Sequence, residues 1–181
     1  MPMIPPLLHG TTCDLRPVTE EDLSALLAWY NDPDTFRYMG RETHLTMADQ
    51  HSWFATSRLD HQSFVWAVQR RDTASLIGSI TLRNLTDRAR RAELGVLLGI
   101  PGSGFGSDAV HTVLAHAFEV LGIQCVSLEV RGDNRRAITA YMRAGFRPEG
   151  ILRRRLLKDG TLHDLYSMSI LREEFEADDT Q

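Results

Sequence analysis

Cysteine is scarce. Two thiols in 181 residues, Cys13 and Cys125, are too few for a disulfide framework and lack the spacing of a zinc site, which points to a reducing cytoplasm. Positive charge is not in surplus either. With 20 Lys and Arg against 24 Asp and Glu the net charge is −4, so there is no overall attraction to nucleic acid or to an anionic membrane. No apolar stretch approaches the roughly 20 residues of a membrane span. The opening Met1-Pro2-Met3-Ile4-Pro5-Pro6-Leu7-Leu8 has no basic region, and its prolines break a helical signal core. Repeats, linkers and low-complexity tracts are missing too. What remains is a chain, 43% hydrophobic, that can bury one core. Residues 1–181 read as a single domain whose acidic tail, 173–181, is expected to fray.

The pattern of elements is mixed. Thr12 to Pro17 reads as a strand, and Thr19-Glu20-Glu21-Asp22 opens a helix running to Tyr30 with Leu23, Leu26 and Leu27 at helical spacing. Asn31-Asp32-Pro33-Asp34 closes it, and a second helix starts after Thr46. Phe64–Gln69 and Leu76–Leu85 suggest an antiparallel hairpin, followed by a strand over Glu93–Ile100. Ala109, Val110, Val113, Leu114, Ala117, Phe118 and Leu121 then mark a buried helical stripe. Gln124–Val130 is a buried strand, Asp133–Ala144 a helix, and Arg153–Leu157 with Leu165–Leu171 a hairpin around Lys158-Asp159-Gly160. The expected fold is α+β, a mostly antiparallel sheet with one central parallel β-α-β crossover.

Between the last central strand and the apolar helix lies Pro101-Gly102-Ser103-Gly104-Phe105-Gly106-Ser107, a phosphate cradle by composition. Its three glycines let the backbone approach a ligand closely, and the helix behind presents free N–H groups and a positive dipole end to an anion. The spacing Gly104-x-Gly106-x-x-Ala109, with Glu129 about twenty residues on, also fits a dinucleotide fingerprint, so an NAD(P)-binding oxidoreductase is one candidate. Against it, that fold needs successive parallel units, and only one crossover is evident. His111 and His116 are five apart and face different ways, so no metal is expected.

About thirty residues after the cradle comes Asn134-Arg135-Arg136-Ala137-Ile138-Thr139-Ala140-Tyr141-Met142-Arg143-Ala144-Gly145-Phe146. A Q/R-x-x-G-x-G/A turn opening a helix, followed by N-x-x-A-x-x-x-Y-x-x-x-G-F, resembles the GNAT superfamily of acyl-CoA-dependent N-acyltransferases. The resemblance spans nearly the whole chain. Trp29-Tyr30-Asn31-Asp32, Ala92-Glu93-Leu94-Gly95, Lys158-Asp159-Gly160 and His163-Asp164 resemble the branch with ribosomal-protein N-terminal, spermidine and amino-sugar acetyltransferases. The head of the cradle motif departs from the family, with Pro101 in place of Gln or Arg, leaving the phosphates to backbone N–H groups.

The resemblance implies direct acetyl transfer from acetyl-CoA to a primary amine, a small molecule or a peptide N-terminus, without a metal. Gly102, Ser103, Gly104, Phe105, Gly106 and Ser107 would hold the pyrophosphate. A bulge in the strand carrying Leu97 and Leu98 would aim a backbone N–H at the thioester carbonyl, and that strand would splay from the next to admit pantetheine. Asn134 would bond the pantetheine arm beside a small Ala137. Tyr141 would protonate the leaving thiolate, since a phenol of ordinary pKa ~10 stays protonated at neutral pH. Glu93 is the candidate base or cation attractor, with pairing to Arg90 or Arg91 as the plainer role. Trp29, Asn31 and Tyr38 are candidates for the acceptor wall, with core or capping roles equally open. Cys13 and Cys125, in strand-like apolar settings, are poor nucleophiles, which favours direct transfer. A catalytically degenerate acyl-CoA-binding module is the other alternative. The edge of the terminal hairpin offers a route to a homodimer.

Overall fold

The computed structural model describes residues 4–100 and 104–178. Eight strands form one sheet in the order β1-β2-β3-β4-β5-β6-β8-β7. They are β1 (Leu8–His9), β2 (Cys13–Pro17), β3 (Phe64–Arg70), β4 (Leu76–Arg83), β5 (Arg91–Leu98), β6 (Cys125–Arg131), β7 (Arg147–Lys158) and β8 (Thr161–Leu171). Every neighbouring pair is antiparallel except β5 with β6, the single crossover read from the sequence.

Local chemistry sets the first helices. A short 3-10 turn, Glu20–Asp22, leads into α1 (Leu23–Asn31), which buries Leu23 and Leu26. Asp22 accepts from the Thr19 N–H at 2.8 Å and from two Arg16 nitrogens at 2.7 Å each. Burial alone would raise the Asp22 carboxyl, but these bonds outweigh it and hold the pKa low. The turn expected at Asn31–Asp34 becomes a short helix, α2 (Pro33–Phe36), because Asp32 caps it and Pro33 supplies the φ of a first helical residue. Thr46 and Asp49 form the reciprocal cap of α3 (Met47–Ser57).

The central helix, α4 (Phe105–Ala115), continues through a π-type turn over His116–Val120. Ala109, Val110, Val113, Leu114, Ala117 and Phe118 are buried against Trp66, Ile80, Leu82, Leu94, Val126 and Met168, as the stripe predicts. Its Asp108 turns the other way and latches the β1–β2 turn, accepting from the N–H groups of Thr11, Thr12 and Cys13 at 2.9, 2.8 and 2.9 Å. Burial pushes this carboxyl up, but the N–H bonds and the Cys13 thiol outweigh it and bring the pKa down to about 2.

Two expectations need correction. The terminal hairpin extends back to Arg147, because two irregularities, near Glu149 and across Arg153–Arg155, break the alternation that would have revealed it. Arg153, Arg154 and Arg155 therefore lie in a distorted, exposed segment, with Arg154 at φ 51°. The tail does not fray up to residue 178. It forms α6 (Arg172–Asp178), anchored by Phe175 in the core, while Glu174 takes the Leu171 N–H and pairs with Arg147 at 2.8 Å. Among the described residues no helix is long and apolar enough to cross a membrane.

Candidate active site

The sheet opens at its one parallel pair. β5 and β6 are in register only from Arg91 opposite Cys125 to Glu93 opposite Ser127, after which both strands run on without pairing to each other. On its other edge β5 stays zipped to β4 as far as Gly78 opposite Leu98. That ladder has no register shift, so the bulge expected at Leu97 and Leu98 is not there. The Gly99 N–H donates to the Ile77 carbonyl at 2.9 Å, and this fixes the phase of the ladder. Glu93, Gly95 and Leu97 turn their backbone groups to β4, while Val96 and Leu98 turn theirs into the gap. Val96 went unnoticed in the sequence, although a period of two along the strand pairs it with Leu98.

Two helices begin near the mouth of this gap. Gly104, at φ 77°, caps α4, and the N–H groups of the first turn, Phe105, Gly106 and Ser107, have no partner within the helix. A Cβ on Gly106 would lie 2.6 Å from Leu98 Cδ1, so any larger residue there must push the end of that side chain aside. The Phe105 ring packs beneath the Arg70 guanidinium, 4.9 Å from ring centroid to carbon, so Phe105 can serve the cradle only through its backbone. Gly102 and Ser103, with Pro101, lie outside the described residues.

Across the gap, β6 turns into α5 (Arg135–Arg143). Asn134 caps it, its side-chain oxygen accepting from the Ala137 N–H at 3.2 Å. Asn134, Ala137 and Tyr141 share one helical face. Tyr141 packs edge-on against Phe146, 5.7 Å between centroids, and burial pushes its phenol up to about 12. A phenol in that state is a proton donor and holds no charge at neutral pH.

Glu93, Gly95 and Leu97 face α1, opposite to α4. There the Trp29 indole lies directly over Gly99, where any side chain would collide with it. Glu93 is half-exposed and pairs with Arg83, its neighbour across the ladder, at 3.2 Å, not with Arg90 or Arg91. Tyr30 is half-buried, and loss of water around its phenol raises its pKa. Asn31 exchanges two bonds with the backbone of Leu45, 2.8 and 2.9 Å, and so ties down the segment before α3. Tyr38 sits between Arg37 and Arg131, with 4.7 and 5.4 Å from its ring centroid to the two guanidinium carbons. The site expectations missed Arg83, Arg131 and Lys158, since strand cations read as solvated until their partners are known.

The described residues contain no cluster of three or more His, Cys, Asp or Glu suited to a metal ion. Burial and the neighbouring Asp108 carboxylate push the Cys13 thiol up to about 12, and burial raises Cys125, so neither is a ready thiolate.

A family model described as an acetyltransferase (GNAT) domain matches residues 13–147. The uncharacterized N-acetyltransferase YoaA of Bacillus subtilis is 31% identical over 173 residues, covering 92% of this chain and 97% of the relative. The putative ribosomal N-acetyltransferase YdaF of the same organism is 33% identical, over 58% of each chain. A crystal structure of spermidine N-acetyltransferase from Vibrio cholerae, in complex with CoA and spermine, superposes with a TM-score of 0.83 at 23% identity. It covers 91% of this chain and 98% of the other. A single parallel strand pair, a glycine-capped helix beside it and these matches agree: the chain belongs to the GNAT acetyltransferase family.

Proposed function

We propose that this chain moves an acetyl group from acetyl-CoA straight to a primary amine held on the α1 side of the β5–β6 gap. The observation that carries this is the parting of β5 from β6 between two helix starts. It leaves unpaired backbone N–H groups, those of Val96 and Leu98, beside the anion-binding end of α4. The residues fit the donor. Among the described residues nothing lies within 4 Å of where a Gly104 side chain would be, and the first-turn N–H groups of α4 suit a pyrophosphate.

In this mechanism the N–H groups of Leu98 and Val96 bond the thioester end of the donor and its pantetheine arm. Leu97 adds a buried apolar wall, and Asn134 and Ala137 border the channel from α5. The amine loses a proton, attacks the thioester carbon, and the C–S bond breaks. Tyr141 returns a proton to the departing sulfur. Glu93 draws the ammonium in, and its proton leaves to water, with Arg83 keeping the carboxylate oriented. Trp29, Asn31 and Tyr38 shape the acceptor wall, for a small amine or a peptide N-terminus. Two unpaired thiols support a cytoplasmic setting, and the exposed edge of β7 supports pairing as a homodimer.

Melting with added ligand tests the donor. CoA raises the melting temperature and NAD(P) does not; the opposite result overturns the proposal in favour of a dinucleotide enzyme. Free-thiol release with acetyl-CoA and a panel of polyamines, amino sugars and peptide N-termini then separates an enzyme from a binding module.

A further inference from the structure

Two buried cations lie outside the chemistry assigned above. Arg131, 8% exposed, ends β6, and Lys158, 2% exposed, ends β7. Both reach the same stretch of chain, residues 36–42, most of which has no helix or strand of its own. Arg131 donates through Nη1 to the Arg37 carbonyl and covers the Tyr38 ring. Lys158 donates to the Arg41 carbonyl and stands 3.5 Å from the centroid of the Phe36 ring. Beside it the Asp159 N–H reaches the Glu42 carboxylate at 3.3 Å. The loop presses on β7 so closely that a Cβ on Gly40 would lie 2.9 Å from Leu156.

Stability does not account for this arrangement. Among the described residues no carboxylate pairs with Lys158, and a carbonyl and a ring replace only part of the hydration that a buried ammonium gives up. An apolar side chain of similar volume commonly serves a fold as well or better. Arg131 has further duties: Nε and Nη2 grip Asp133 at 3.0 and 2.7 Å, and Nη2 lies 3.2 Å from His163 Nδ1. Asp133 directly precedes Asn134, the cap of the helix that carries Tyr141. One guanidinium thus joins the acceptor-side loop to the turn that sets the proton donor's helix.

We propose that Arg131 and Lys158 are positioning residues that hold residues 36–42 in place as a wall of the acceptor site, with Arg131 fixing that wall relative to α5. The kinetic part rests on the transfer function proposed above; the clamp itself does not. Arg131→Lys keeps the charge, but one ammonium cannot bond the Arg37 carbonyl and fork onto Asp133 together. Lys158→Met keeps the stem over Phe36 and removes only the donor.

Amide hydrogen exchange across residues 36–42, with steady-state kinetics on the panel amine that turns over fastest, tests both variants. Loop exchange is expected to quicken, and KM for the amine to rise, about tenfold in each. In Lys158→Met KM for acetyl-CoA stays where it was, and that variant melts no lower than the parent. Unchanged loop exchange overturns the proposal, as do KM values that rise together for both substrates in Lys158→Met, the mark of general loosening. If Arg131→Lys does not fold, Lys158→Met alone decides. A parent protein that CoA fails to protect would overturn the transfer function instead, and loop exchange, which needs neither substrate, would still judge the clamp.

Discussion

The two faces of β5 are built from different materials. Toward α4 the site uses backbone N–H groups, glycines and apolar side chains, with Val96 and Leu98 on the strand and Gly104 and Gly106 on the helix. Toward α1 it uses long charged side chains whose partners sit on other elements, Arg83 with Glu93, Arg131 with the Arg37 carbonyl, Lys158 with the Arg41 carbonyl. A common donor calls for geometry that the main chain supplies whatever the side chains. An acceptor that varies within a family calls for parts that can be exchanged singly. Changes on the first face should therefore alter donor binding or chemistry, and changes on the second should alter amine recognition.

The largest effect tests the chemistry between the faces. Tyr141→Phe is expected to lower kcat by about 10²–10⁴-fold while CoA still protects against melting, measured by thiol release and thermal shift. An effect confined to KM for the amine would place Tyr141 on the wrong side of the division. Next comes Gly106→Val, whose added bulk must displace the Leu98 side chain beside the gap. It is expected to destabilise by about 1–3 kcal/mol and to raise KM for acetyl-CoA without changing that for the amine.

Asp108→Asn reaches the donor face from behind, by loosening the latch on α4. The folded carboxyl titrates near 2, below its ordinary ~3.9, so its contribution is complete above that ordinary value and disappears as pH falls through the folded one. Urea unfolding is expected to show a loss of about 2 kcal/mol at pH 7 that shrinks toward zero near pH 2. A gap that stays constant with pH would show that the latch acts by shape and not by charge. The smallest effect belongs to Glu93→Gln. With both members of its ion pair half-exposed, melting should barely change, while KM for the amine rises a few-fold. A larger shift in KM for acetyl-CoA would break the comparison.

The same contrast explains what could be read from the sequence. The cradle, the α4 stripe and the face bearing Asn134, Ala137 and Tyr141 are local patterns, set by spacings of a few residues. The hairpin turn at Asp159-Gly160, both at positive φ, is equally local. The acceptor-side clamp is not. Arg131 and the Arg37 carbonyl are 94 residues apart, and Lys158 and the Arg41 carbonyl 117, so no window of sequence contains both partners. Phe175 among the acids of the tail was a signal of another kind, one apolar residue enough to dock a helix that composition alone reads as frayed. The bulge came from family likeness and not from the residues, and the unbroken β4–β5 ladder replaces it with strand phase as the source of free N–H groups.

The Asp108 latch also bears on the order in which the protein can be assembled. Its bonds to Thr11, Thr12 and Cys13 close loops of 97, 96 and 95 residues, among the widest spans in the molecule. Closing so long a loop is a late and slow event compared with zipping a hairpin. The β3–β4 hairpin can therefore zip before the β1–β2 turn is latched to α4. The start of α4 takes its final place only when the two ends of that long loop meet, and the turn from Thr11 to Cys13 acts as a tether for the helix behind the proposed cradle.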